Sequence, residues 1–325
     1  IEGGEAVNIP FRVKTQLQLG PLVEFEYPIS DSDQFVARQI RDAEPSPGGT
    51  MLAFTVLDRL YVMDIPEGEA ERVTNLDITE AQPSWSPDGT HLVFTTWSEQ
   101  DQGHLYKANV AGRLRLTKLT NEPGLYQGPV YAPDGSRIVF NKASAQSYQD
   151  AADPYGLKAD SYIGWIPADG GSVNKIAPSL GRFKPHFVLD QDRIYLHSNS
   201  QGLVSLRFDG TDEKQHLKVT GIKVPGTDKP MEASLILRSP QKDHALAQVN
   251  NDLYLVKVPY VGGVAPTVSV AKSKGAPFPF AKLTDIGGQF PTWSADGNRI
   301  HWSIGNSFFT YDIGAEKSLS DSIKA

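Results

Sequence analysis

The sequence predicts an all-β protein, a six-bladed β-propeller of four-stranded antiparallel blades, and three repeating observations carry that expectation. A hairpin signature, PSWSPDGTHLVF at residues 83–94, recurs along the chain; an aromatic and β-branched run follows each copy, and a short fourth run follows that one. In the signature, Pro87, Asp88 and Gly89 join two apolar runs. Proline presets φ at about −65°, and Asp and Gly tolerate the positive φ that tight hairpin turns require. Further copies are EPSPGGTMLAF from Glu44, GPVYAPDGSRIVF from Gly128 and FPTWSADGNRIHW from Phe290. KPHFVLDQDRIYL from Lys184 has lost the glycine, and EASLILRSPQKDHALAQV from Glu232 keeps the pattern but not the letters.

The third runs are LYVMDI at Leu60, LYKANV at Leu105, YIGWIP at Tyr162, LVSLRF at Leu203, LYLVKV at Leu253 and FFTYDI at Phe308. Their composition is that of strands. The fourth runs are RVTN at Arg72, KLTN at Lys118, NKIA at Asn174 and KLTD at Lys282. Placing the repeat starts at Pro45, Pro83, Pro129, Pro185, Ala233 and Pro291 gives separations of 38, 46, 56, 48 and 58 residues. Such irregularity suits a propeller, whose loops vary while the blade persists, and not a strict solenoid. A β-sandwich would show no four-strand repeat. Trp85 is expected to pack between neighbouring blades.

The last unit ends on FFTYDI and a polar tail, 314–325, so its third strand would present an unpaired edge. Residues Ala6 to Leu19, within an N-terminal stretch 1–20, are expected to supply the missing outer strand and close the ring. Residues 143–161 read as a polar loop insertion, of the kind that contacts ligands on rigid scaffolds. The whole of 1–325 then forms one domain, either free-standing or part of a longer chain. The opening IEGGEAVNIPF has neither a basic n-region nor an apolar h-region, so no signal peptide is expected within it.

Composition narrows the function classes. The net charge is −7 and the 31 Lys and Arg are scattered, which argues against nucleic acid, whose phosphates require clustered cations. No run of 18 apolar residues is present, so no membrane insertion is expected. With no cysteine, thiol catalysis, disulfides and Cys-based zinc sites are excluded, and the chain is compatible with an extracytoplasmic or cytoplasmic compartment.

The hairpin P-x-W-S-P-D-G and the L-Y-x-x-D strand resemble the TolB-like propeller family, most clearly at Pro83 to Gly89 and at Pro291 to Gly297, where Ala295 replaces the second proline. IPFRVKTQLQLGPLVEFEYPI, TVLDRLYVMDIPEG, GLVSLRFDGTDEKQHLKVTG, ALAQVNNDLYLVKVP and LTDIGGQFPTWSADGNRIHWSIGNSFFTYDI together resemble the propeller region that precedes the catalytic barrel of large secreted bacterial amidohydrolase-related proteins. That resemblance implies a periplasmic or secreted origin and a parent chain with a metal-dependent hydrolase domain not contained in these residues.

No catalytic constellation is legible. The histidines are His91, His104, His186, His197, His216, His244 and His301, none in H-x-H or H-E-x-x-H spacing, which would bring two imidazoles to one metal. G-x-S-x-G and G-x-x-x-x-G-K-[ST] are also missing. The Asp-Gly pairs at Asp88, Asp134, Asp209 and Asp296 read as turns and not calcium loops, which need oxygen ligands at alternate positions. What remains is the axis, where the residues before each repeat start should meet at one mouth of the channel: Glu44, Gln82, Gln127, Lys184, Glu232 and Gln289 or Phe290. This mixed ring of acids, amides and one amine would hydrogen-bond a polar ligand or ordered water. No cofactor is expected, beyond a calcium ion that the ring's carboxylates would admit. The expected function is a non-catalytic binding or docking module for a protein partner or for its own catalytic domain, accessory to an amidohydrolase-type hydrolase. The alternatives are hydrolysis of a small molecule at a metal site on the axis and a TolB-type protein-interaction partner.

Overall fold

The computed structural model describes residues 10–20, 36–151, 160–258, 262–272 and 278–315. The chain divides into two units, 1–36 and 37–325, and the second is the propeller. Blade 1 comprises β1 (Arg41–Pro45), β2 (Met51–Val56), β3 (Arg59–Asp64) and β4 (Glu71–Arg72). Blade 2 comprises β5 (Thr79–Trp85), β6 (His91–Ser98), β7 (Gln102–Asn109) and β8 (Arg115–Lys118). Blade 3 comprises β9 (Leu125–Tyr131), β10 (Arg137–Ala143), β11 (Tyr162–Pro167) and β12 (Asn174–Pro178), with helix α1 (Ala145–Gln149) between β10 and β11. Blade 4 comprises β13 (Arg182–His186), β14 (Ile194–Ser198), β15 (Gly202–Leu206) and β16 (Lys214–Lys223), and β17 (Pro230–Glu232) extends it antiparallel to β16.

Blade 5 comprises β18 (Leu235–Arg238), β19 (His244–Val249), β20 (Asp252–Lys257) and β22 (Phe280–Lys282); the intervening β21 (Thr267–Ser269) pairs parallel to β16 of blade 4. Blade 6 comprises β23 (Gln289–Trp293), β24 (Arg299–Ile304) and β25 (Ser307–Asp312), three strands among the described residues. Of the expected closing strand Ala6–Leu19, residues 6–9 lie outside the described residues and 10–20 form no strand. Its alternating Phe11, Val13, Leu17 and Leu19 are solvent-exposed, so the period-two pattern that suggests a strand has no ladder here. The expected tail, 314–325, is described only at residues 314 and 315.

Each adjacent pair of blades encloses a core of its own. Ala53, Leu60, Trp85, Leu92 and Phe94 lie between blades 1 and 2, and Val139, Ile163, Ile194, Leu196 and Val204 between blades 3 and 4. Phe308 of blade 6 packs on Ile40, Leu52 and Phe54 of blade 1, so the ring returns to its start. Burying a side chain of this size is worth about 1.5–3 kcal/mol, and the stability of the ring is therefore spread over its blade interfaces.

The hairpin turns form as their letters require. Asp88 Oδ1 accepts hydrogen bonds from Ser86 Oγ at 2.5 Å, Thr90 N at 3.0 Å and Thr90 Oγ1 at 2.8 Å, while Gly89 takes φ of 70°. Those bonds, Ser86 first, hold the Asp88 carboxyl down at about 2, as a turn-maker and not a free ligand. The polar insertion 143–161 contains one feature its loop reading lacks: α1, capped by Ser144, whose side chain accepts from Ser147 N. Tyr148 of α1 meets Trp97 of blade 2 edge-on, with ring centroids 4.6 Å apart. Residues 152–159 of the insertion lie outside the described residues.

Candidate functional site in the axial cavity

The innermost strand of each blade carries the site, and its frame is set by one backbone bond. Ser46, Ser86, Ala132, Ser239 and Ser294 donate their N–H to the carbonyls of Met51, His91, Arg137, His244 and Arg299. These residues are therefore equivalent. Three positions earlier stand Ala43, Pro83, Pro129, Ile236 and Pro291, with Pro185 at the same place in blade 4.

The residue before that position is left-handed in five of the six blades: Asp42 (φ 48°), Gln82 (52°), Gly128 (56°), Lys184 (56°) and Phe290 (51°). Each sits at a register shift where two residues of the inner strand oppose one of its neighbour. A β-bulge of this kind bends the strand and re-aims its side chains, and bulges gather beside functional sites. Blade 5 has no shift, and β18 runs regularly from Leu235.

This frame corrects part of the expected ring. Blade 1 starts its repeat at Ala43 and not Pro45: EPSPGG holds two prolines, and Pro45 occupies the place of Trp85. Asp42 is thus the counterpart of Gln82, and Glu44 stands two residues further on. In blade 3 the bulge residue is Gly128, so Gln127 is displaced by one; it pairs with Asn141 across β9 and β10 and is not among the cavity-lining residues. Blade 5 lacks both proline and bulge, and its start moves from Ala233 to Ile236. Glu232 accordingly ends β17 and pairs with Thr220, away from the axis. Gln289 pairs with Ser303, and its side chain accepts from Gln39 Nε2 at 3.2 Å on the exposed surface, outside the cavity lining. Glu44, Gln82 and Lys184 do line the cavity.

The cavity has a volume of about 540 Å³ and is built in tiers, each taking one residue per blade. Glu44, Ser84, Val130, His186, Leu237 and Thr292 form one; Pro45, Trp85, Tyr131, Phe187, Arg238 and Trp293 form the next; Pro47, Pro87, Pro133, Leu189, Pro240 and Ala295 form the outermost. Of the first two tiers, the residue pattern in the sequence points only to Glu44 as an axial residue. Their signal is present in P-x-W, where the residue between proline and tryptophan repeats with the blade although its identity does not.

Neighbouring blades are tied together at this level by different chemistry. Trp85 Nε1 donates to Glu44 O at 2.9 Å, which bears out the expected position of Trp85 between blades, and Trp293 Nε1 repeats the bond to Leu237 O at 3.2 Å. Gln82 Oε1 accepts from Gly128 N at 2.7 Å. His186 joins blades 4 and 5, its Nε2 accepting from Arg238 N at 2.8 Å and its Nδ1 placed 2.9 Å from Lys184 O. Those partners require Nδ1 to carry the proton and Nε2 to be bare, the neutral tautomer. Burial lowers this imidazole to about 4, and burial likewise holds His197, His216 and His301 at about 4.

The acids of the axis are held the other way. Burial raises Glu44 to about 7 against the attraction of the Lys184 ammonium, and burial raises Asp42 against the same cation. Because the fold favours protonated Glu44, this group's contribution is fully present below pH 4.5 and is lost as pH rises through about 7. Glu44→Gln is therefore expected to match the parent near pH 4.5 and to be more stable by about 1–3 kcal/mol at pH 8. Urea denaturation across that range measures the difference, and a pH-independent offset would remove this role for Glu44.

Among the described residues, no group of three or more His, Asp or Glu could hold a metal ion. No described helix is long and apolar enough to cross a membrane.

The fold and its site define a six-bladed β-propeller with a ligand-sized cavity on its axis, built from the first strand of every blade. The chain belongs to the TolB beta propeller domain family (PD40), whose model matches residues 29–221. It is 28% identical over 159 residues to the Bacillus subtilis (strain 168) protein named uncharacterized peptidase YuxL, covering 36% of this chain and 24% of that protein. It is 33% identical over 75 residues to the Tol-Pal system protein TolB of Francisella tularensis subsp. holarctica (strain OSU18), covering 23% of this chain and 16% of that protein. The chain thus spans about a quarter or less of the length of these curated relatives. Among solved structures, a TolB from Agrobacterium tumefaciens superposes with a TM-score of 0.56 at 19% identity, over 84% of this chain and 89% of that one. A gluconolactonase, XC5397 from Xanthomonas campestris, superposes with a TM-score of 0.54 at 13% identity, over 85% and 87% of the two chains. At such identities the likeness is one of fold.

Proposed function

We propose that the chain is a protein-docking module that admits an extended segment of a partner protein into its axial cavity. The observation that carries this reading is the tiered cavity itself, in which all six blades contribute equivalent residues and four of the six residues of the outer tier are proline. Proline and aromatic walls offer apolar contact at little conformational cost, while Glu44, Lys184 and Arg238 supply a few polar anchors, the usual balance of a binding pocket. Membership of the TolB propeller family and the likeness to a Tol-Pal system protein support a protein partner and an extracytoplasmic location. The sequence resemblance to the propeller of amidohydrolase-related proteins adds an accessory role beside a hydrolase domain, which a metal-ligand motif elsewhere in the full reading frame would support.

The test is capture from a bacterial envelope extract on the immobilised chain. The parent is expected to retain a protein that Glu44→Lys and Lys184→Glu release, with circular dichroism unchanged in both variants. Retention of nothing by the parent, or of the same protein by both variants, would overturn the reading.

A further inference from the structure

Charge in the cavity is divided between its walls. Blade 1 contributes the Glu44 carboxylate, with Asp42 two residues before it on the same strand. Blade 4 contributes Lys184 and the adjoining blade 5 contributes Arg238. In a ring of six, blades 1 and 4 face one another, so an acidic wall confronts a basic one. At the level of Glu44, blades 2, 3 and 6 present the uncharged Ser84, Val130 and Thr292. Asp296, on the outermost edge, is already spent on its own turn, accepting from Ser294 Oγ at 2.5 Å and Asn298 N at 3.0 Å.

Lys184 attracts Glu44 and Asp42 across the axis, but these groups are not joined in a contact ion pair. Glu44 accepts one side-chain bond, from Ser84 Oγ at 3.4 Å. Among the described residues neither Lys184 nor Arg238 is in an ion pair, whereas Arg182 and Arg193 are each paired with a carboxylate. Arg238 Nη1 donates only to the His244 carbonyl, at 2.8 Å.

We propose that the ligand of the axial cavity is a peptide segment carrying two neighbouring side chains of opposite charge, the cation directed to Glu44 on blade 1 and the carboxylate to Lys184 and Arg238 on blades 4 and 5. This inference rests on the docking reading above and specifies the segment it admits. A segment with one charge satisfies one wall and leaves the other desolvated and unpaired, which is how a site rejects the wrong partner. The apolar tier of Trp85, Phe187 and Trp293 suits the long methylene stems of such side chains, whose charged heads lie beyond them.

Four capped tetrapeptides serve as probes: Gly-Lys-Glu-Gly, the two in which either charge is replaced by glutamine, and Gly-Gln-Gln-Gly. Calorimetry or NMR titration against the whole chain is expected to show the doubly charged peptide binding about tenfold tighter than either singly charged one, the equivalent of about 1.4 kcal/mol. Glu44→Gln should abolish the preference for lysine and leave that for glutamate; Lys184→Gln should do the reverse. Equal binding of the singly and doubly charged peptides would overturn the inference. So would absence of peptide binding at about 10 mM with capture of the envelope protein retained, a result that leaves the docking reading standing. Loss of both would overturn both.

Discussion

Glu80→Ala is expected to destabilise the propeller by about 3–5 kcal/mol, the cost of leaving buried polar partners unpaired. Glu80 is completely buried at the start of β5, between blades 1 and 2. Its Oε2 accepts from Leu60 N at 2.7 Å and from Arg72 Nη2 at 3.4 Å, and its Oε1 accepts from the Thr74 hydroxyl. Three donors on blade 1 thus converge on one side chain of blade 2. Blades 2 and 5 solve the same problem internally: Leu105 N and Leu253 N donate to Thr120 Oγ1 and Thr284 Oγ1, at 3.1 and 3.0 Å. In blade 1 the threonine hydroxyl turns to Glu80, which takes over the backbone donor. Alanine would strand all three, whereas Glu80→Gln keeps an acceptor for Leu60 and should cost about 1–3 kcal/mol, the range for a lost charged hydrogen bond. Equilibrium urea denaturation distinguishes the two variants, and a loss below about 1 kcal/mol for alanine would show that the cluster contributes no more than an ordinary exposed ion pair.

Trp85→Ala should cost a similar amount, about 3–5 kcal/mol, by a different route. The indole is buried against Ala53 and Leu60 of blade 1 and Leu92, Phe94 and Ala108 of its own blade, and its N–H is bonded to the Glu44 carbonyl. Truncation opens a cavity at the interface and leaves that carbonyl without its donor. Trp85→Phe retains most of the packing and isolates the hydrogen bond, for an expected loss of about 1–2 kcal/mol plus the smaller ring. If phenylalanine proved as costly as alanine, packing would not be what holds this interface. Trp293, which makes the corresponding bond between blades 5 and 6, provides an independent repeat of the measurement.

Architecture was far more legible in the residues than the site. Asp88 and Gly89, and their counterparts Asp134 with Gly135 and Asp296 with Gly297, dictate turns by local chemistry, and local chemistry reads directly from sequence. The number of blades follows from counting them. Site residues depend instead on register to a single position, and register in the inner strands is set by a bulge whose left-handed residue is variously Asp, Gln, Gly, Lys or Phe. No common letter marks it. Proline follows the bulge in blades 2, 3, 4 and 6, and in blades 2 and 4 it leads directly to Gln82 and Lys184. In blade 1 a second proline misdirected the frame, and in blade 5 Leu235 and Ile236 left nothing to align on. Glu232 follows from that missing mark, whereas Gln127 and Gln289 each stand one residue before the bulge residues Gly128 and Phe290, whose letters do not read as polar ring members. His186 matches no metal-motif spacing because its use is structural: its Nε2 accepts from Arg238 N of blade 5 while its Nδ1 is held by Lys184 O of its own blade.

That use of histidine gives the molecule an asymmetric relationship with acid. His186, His197, His216 and His301 are each kept neutral by burial to about pH 4, while in an opened chain they would take up protons near pH 6.5. Between those limits the unfolded form binds more protons than the folded one, so falling pH destabilises the propeller, and through His186 it does so at the contact between blades 4 and 5. Glu44 responds in the opposite sense, being best accommodated when protonated. The loss from Glu44 accrues between pH 4.5 and about 7 and is complete above that range, so at the axis it offsets part of what His186 contributes over nearly the same interval.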